Sequence, residues 1–111
     1  MKKLLDDMKK AMMAEYMRAE KKYGATHASA PEAYAVMLEE YEEAAHEVED
    51  AQFVLDSFWE NVKKNIPDYD RAKRIEQHAL NAAAECIQLA AMAYKTQLTY
   101  LGEAQSDDNK A

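Results

Sequence analysis

The chain has 111 residues, 49% of them hydrophobic, which fits one domain with a core of its own. Fourteen basic residues against twenty-one acidic ones leave a net charge of −7. That balance excludes a nucleic-acid backbone as the expected partner, but not a nucleotide whose charge is met by a cation. Two Gly and two Pro offer little material for hairpins, while the abundant Ala, Glu, Met, Leu and Lys all favour helix, so an all-α protein is expected.

The first predicted helix runs from about Lys2 to Tyr23. Its apolar stripe is Leu5, Met8, Met12, Tyr16, Ala19 and Tyr23, at three- and four-residue steps. Gly24 is the expected stop. After the short linker "ATHASA" the second helix opens with "SAPE". Ser29 and Glu32 have the spacing of a capping box, and Pro31 falls in the first turn, where a missing N–H costs little. No breaker follows until Pro67, so this helix is long, and it is either continuous or split near Gln52 to Asp56. Its stripe is Tyr34, Met37, Leu38, Tyr41, Ala44, Ala45, Val48 and Leu55. "NIPDYD" is a turn, with Asp68 or Asp70 as the cap of the third helix. That helix is expected from about Tyr69 to Leu101, with a stop at Gly102 and a polar, frayed tail over 102–111.

Three helices of this length suit a compact monomer poorly. The expected architecture is a long-helix bundle, with three main helices per chain or four if the middle one is split. It is completed by pairing into a homodimer or homotetramer. The single cysteine, Cys86, excludes an internal disulfide and reads as a reduced, buried thiol. The segment "MKKLLDDMKK" lacks a signal-peptide apolar run, and no stretch is apolar enough to span a membrane. A cytoplasmic protein is expected by default.

Two acidic features carry the chemistry. In "ALNAAAECIQLAAMAY", Ala79 to Tyr94, apolar residues occupy almost every direction, which describes a buried rod. One polar seam interrupts it, Asn81, Glu85 and Gln88, extended by Arg74 and His78 on one side and by Met92 and Lys95 on the other. A carboxylate at Glu85 is costly there unless it is paired with a cation from a neighbouring helix, protonated or bound to metal. On the second helix, "LEEYEEAAHEVED" divides by helical angle. Glu40, Glu43 and Glu47 border the apolar stripe, while Glu39, Glu42, Glu49 and His46 point towards water. The plain reading of the stretch is a solvated acidic face. The alternative is that Glu40, Glu43 and Glu85 meet between helices around a cation, and oxygen-only ligands favour Mg²⁺ or Mn²⁺ over zinc.

These residues also carry a resemblance. "EEYEE", Glu39 to Glu43, is similar to the EExxE signature of the MazG-like all-α nucleoside triphosphate pyrophosphohydrolases. "ECIQ", Glu85 to Gln88, stands where that family has ExxD. The wider text "EAYAVMLEEYEEA … ALNAAAECIQLAAMAYK", about Glu32 to Lys95, resembles a phage- and Firmicute-type branch in which Gln often replaces the aspartate. The resemblance implies cleavage of a (d)NTP to the monophosphate and pyrophosphate. It implies Mg²⁺ held by Glu40, Glu43 and Glu85 with Gln88 in the aspartate's place, Glu39 activating water or holding a second ion, and an oligomeric bundle. A neutral Gln88 lowers the charge of the site and its affinity for the ion.

Lys95 and Arg74, on the Glu85 seam, are the candidate phosphate contacts, each weighed against an ordinary surface cation. Tyr34, Tyr41 and Trp59 are read as core residues before base-stacking ones. His78 is read as a solvated flank residue before a phosphate donor. His27 and His46 carry no signal. A di-iron bundle would need two Glu-x-x-His pairs, and only Glu43 and His46 have that spacing. The competing class is a phage-related helical oligomerisation or interaction module that keeps the bundle without the chemistry.

Overall fold

The computed structural model describes the backbone of residues 1–110 and the side chains of 1–102. It is all-helical, with no strand among the described residues. Its elements are α1 (Lys2–Tyr23), α2 (Ala30–Lys63) and α3 (Tyr69–Lys110).

The predicted boundaries of α1 hold. The helix ends where Gly24 takes φ of 90°, and the Gly24 N–H closes the last turn on the Glu20 carbonyl. At the start of α2 the Ser29 hydroxyl accepts the Glu32 N–H at 3.2 Å, the forward half of the capping box. The return contact goes one residue further out, where the Glu32 carboxylate accepts the Ala28 N–H at 2.7 Å. Between Ala30 and Lys63, α2 is one continuous helix of 34 residues, about 50 Å long at 1.5 Å per residue, with no split near Gln52. Asp68, not Asp70, caps α3. Its carboxylate accepts the Arg71 N–H at 3.1 Å and the Asn61 amide at 2.8 Å. The expected stop at Gly102 does not occur, and the backbone stays helical to Lys110. Gly102 lacks the left-handed conformation that would make it a terminator.

The chain forms two compact units, Met1–Glu40 with Ile87–Ala111, and Tyr41–Cys86. The first holds the hydrophobic core. Tyr16, Ala91 and Met92 are buried, packed by Met12, Met13, Val36, Met37, Tyr94 and Leu98. The Tyr16 and Tyr94 rings meet edge to face, centroids 4.9 Å apart. The Tyr16 hydroxyl donates to the Ala25 carbonyl, which ties the linker down.

The second unit is a helical hairpin made by the end of α2 and the start of α3. Only Ala44, Val54 and Ala82 are buried in it. Cys86 is exposed, not buried, and so are Ala79, Leu80, Ala83 and Ala84. The all-round apolar character of α3 therefore does not produce a buried rod within one chain. Tyr34, Tyr41 and Trp59, expected in the core, are also exposed. Two helices of a hairpin can enclose small side chains along their contact line but not large ones on every face.

Candidate functional site

The acidic stretch of α2 divides as its helical angles require, except at Glu43. Glu39, Glu42, His46 and Glu49 are exposed, while Glu40 and Glu47 are half-buried. Glu43 is exposed in fractional terms, yet its carboxyl group turns to that of Glu85 on α3. The two groups offer oxygens within 4.8 Å of each other. The hydrogen bond to Glu85, its charge and partial desolvation together hold the Glu43 carboxyl above the usual carboxylate range. Glu40 stands one helical turn before Glu43 on α2, and Gln88 one turn after Glu85 on α3.

The next turn of the same hairpin carries a different pairing. His78 Nδ1–H donates to the Glu47 carboxylate at 2.8 Å, and the Asn81 amide reaches the same oxygen at 3.5 Å. The His78 bond is the largest of the contributions that lower the Glu47 pKa, against a smaller desolvation effect. His78 is thus half-buried and engaged, neither a solvated flank residue nor a free donor. Asp50 lies close enough to group with Glu47 and His78, and it also faces His46 at 3.6 Å. Arg74 is exposed in this unit.

The first unit holds a cavity of about 440 Å³. Glu39, Glu40, Gln88 and Lys95, four of the residues singled out in the sequence, line it together with His27 and Tyr23. Lys95 is 5% exposed, so the surface-cation reading fails for it. A buried ammonium on a cavity wall is placed to meet an anion there. His27 is equally buried, its N–H held by the Thr99 hydroxyl at 2.9 Å and its ring Nε2 at 3.5 Å from the Met92 carbonyl. Nothing in the sequence marks His27, because its burial follows from how the linker folds onto α3 and not from any periodicity.

Gln88 has a partner that sequence reading missed. Its side-chain nitrogen donates to the Glu15 carboxylate of α1 at 2.7 Å, across 73 residues of chain. Glu15 sits on the same side of α1 as Met12 and Ala19 at i−3 and i+4, and that register is the one available sequence signal.

No family model matches the chain, and no match was found among curated proteins or solved structures. Function therefore rests on the residues themselves. They divide into an acidic pair on the second unit's hairpin, Glu43 with Glu85, and a cavity in the first unit that carries acids, a buried lysine and an amide. No helix among the described residues is long and apolar enough to cross a membrane.

Proposed function

We propose that the protein is a Mg²⁺-dependent nucleoside triphosphate pyrophosphohydrolase, converting a (d)NTP to the monophosphate and pyrophosphate. The observation that carries this reading is the Glu43–Glu85 contact. Two acidic groups from different helices bring carboxylate oxygens within 4.8 Å of each other, a spacing that a cation could bridge. The donor set fits a hard divalent ion, since it is all oxygen and has neither thiol nor imidazole. Glu43 and Glu85 are the central ligands. The resemblance adds Glu40 and Gln88 as further ligands. Mn²⁺ satisfies the same donors.

A bound Mg²⁺ supplies neutralisation of the triphosphate and acidifies a coordinated water. The chain's own residues do the rest. Lys95, buried on the cavity wall, takes a phosphate oxygen. Glu39, on the same cavity, accepts the proton of the attacking water. One P–O bond forms from that water, the α–β bridging P–O bond breaks, and pyrophosphate leaves. Arg74 is a weaker candidate for a phosphate contact, being exposed and absent from the cavity lining. The net charge of −7 is no obstacle, because a cation held by these residues would offset the charge of the polyanion.

Incubation with Mg²⁺ and a panel of deoxynucleoside triphosphates tests this. Pyrophosphate is expected from at least one substrate, with loss on the order of 100-fold or more in Glu43→Gln and Glu85→Gln, the upper end of what altered metal surroundings cost. Equal turnover in both variants would mean the site lies elsewhere. No turnover with any substrate would favour the second reading, a non-catalytic helical oligomerisation module. One observation supports that reading. Tyr41, Val48, Leu55 and Val62 recur every seven residues along α2, and are 57%, 57%, 49% and 42% exposed. A seven-residue apolar repeat is the pattern by which helices pair. Under either reading we propose that this face meets a second copy of the chain, giving a homodimer or homotetramer.

A further inference from the structure

We propose that the first unit's cavity binds a small amine–carboxylate zwitterion with a large apolar body, the chemistry of a free aromatic α-amino acid. Such a site lies wholly within the first unit and needs neither a metal nor a nucleotide, so it stands apart from the hydrolase reading. Three helices give the cavity one stripe each. Tyr23 comes from α1, Glu32, Val36 and Glu39 from α2 at four- and three-residue steps, and Met92 and Lys95 from α3 at a three-residue step. The charges on these stripes are segregated, with the carboxylates on α2 and the ammonium on α3.

Lys95 is 5% exposed, and burying an ammonium is costly unless a negative charge lies near it. A ligand there has to respect both signs. A plain anion set against Lys95 shares the cavity with the carboxylates of Glu32 and Glu39. A plain cation set against those carboxylates shares it with the Lys95 ammonium. A molecule with one group of each sign satisfies both, its carboxylate on Lys95 and its ammonium on the α2 wall. Glu39 is the better placed of the two acids, because the Glu32 carboxylate already accepts the Ala28 N–H at 2.7 Å. The rest of the wall selects the body. Tyr23, Val36 and Met92 offer apolar surface, and about 440 Å³ falls in the range of roughly 300–1,000 Å³ that takes small organic ligands. An inorganic anion would leave most of that space to water. His27 on the same wall is fixed, its backbone N–H donating to the Thr99 hydroxyl at 2.9 Å. Under the hydrolase reading Lys95 takes a phosphate oxygen, so the zwitterion and the nucleotide exclude each other and the zwitterion inhibits competitively.

Calorimetric titration into the full chain, without metal or nucleotide, tests the proposal with three probes. L-phenylalanine carries both charges, while phenethylamine and 3-phenylpropionate each keep one of them on the same ring. Phenylalanine is expected to bind, and each analogue to bind on the order of 10-fold or more weakly, the effect of losing one charge-assisted contact. Lys95→Met is expected to remove the advantage of phenylalanine over phenethylamine, and Glu39→Gln to reduce its advantage over 3-phenylpropionate. No binding of phenylalanine would overturn the proposal, as would either analogue binding as tightly as phenylalanine. Full discrimination retained in Lys95→Met would overturn it too. None of these results touches the hydrolase reading, which turns on Mg²⁺ and pyrophosphate release. The thermal midpoint of each variant checks its fold, and if Lys95→Met does not fold, the three probes on the wild type decide alone.

Discussion

The two units solve the same packing problem in opposite ways. The first surrounds Tyr16, Ala91 and Met92 with large apolar side chains from three helical segments. The second, built from two, buries only Ala44, Val54 and Ala82 and leaves Tyr41, Val48, Phe53, Leu55, Trp59 and Leu80 exposed. Along its seam it places polar pairs instead, Glu43 with Glu85, Glu47 with His78, and Asn61 with Asp68. Polar groups at a helix contact cost stability relative to apolar ones unless each is satisfied. The first unit thus gathers its large apolar side chains into a core, and the second carries polar pairs along its seam and leaves large apolar side chains exposed.

The contrast can be broken most strongly in the first core. Tyr16→Ala removes a buried ring and its edge-to-face partner, and is expected to lower unfolding free energy by about 3–5 kcal/mol. Denaturant unfolding reads this, and the loss should not depend on protein concentration. Tyr41→Glu combined with Leu55→Glu is expected to leave the helices formed but to halve the assembly mass measured by light scattering. An unchanged mass would mean the exposed face of α2 is not the contact.

The third and smallest effect concerns pH. In the metal-free protein Glu43 has a folded-state pKa raised by its hydrogen bond to Glu85. Its contribution is fully present below the unfolded value near 4.5 and is lost as pH rises through the folded value. Glu47 has the opposite sign. Its pKa is lowered by His78, so its contribution is present above 4.5 and lost as pH falls through the folded value. Between pH 4 and 8, Glu43→Gln should therefore gain thermal midpoint on the metal-free wild type as pH rises. Glu47→Gln should lose on it over the same change.

Much of this was legible in the sequence. Period and capping chemistry gave α1, the start of α2 and the Asp68 cap, because these are local effects of residues within a few positions of each other. The angular division of the acidic stretch was legible for the same reason at Glu40 and Glu47, which are half-buried against exposed Glu39, Glu42 and Glu49, but not at Glu43, which was expected on the core-bordering row and is exposed. The burial of α3 was not. Periodicity reports that Leu80, Ala83 and Cys86 are apolar, but not whether one chain supplies enough helices to cover them. Glu15 and His27 were missed because their roles come from long-range contacts, Gln88 for the one and Thr99 for the other. Gly102 misled, since glycine permits a helix stop without requiring one.

The central claim is that Glu43 and Glu85 face each other to share a divalent cation. Thermal midpoints measured against Mg²⁺ concentration at neutral pH test it most directly, because an ion that binds only the folded state stabilises it in proportion to the logarithm of its concentration once the site is filled. The account predicts a rising midpoint for the wild type and a flat one for Glu43→Gln and Glu85→Gln. A wild-type midpoint that ignores Mg²⁺, or one that rises equally in all three proteins, would contradict it.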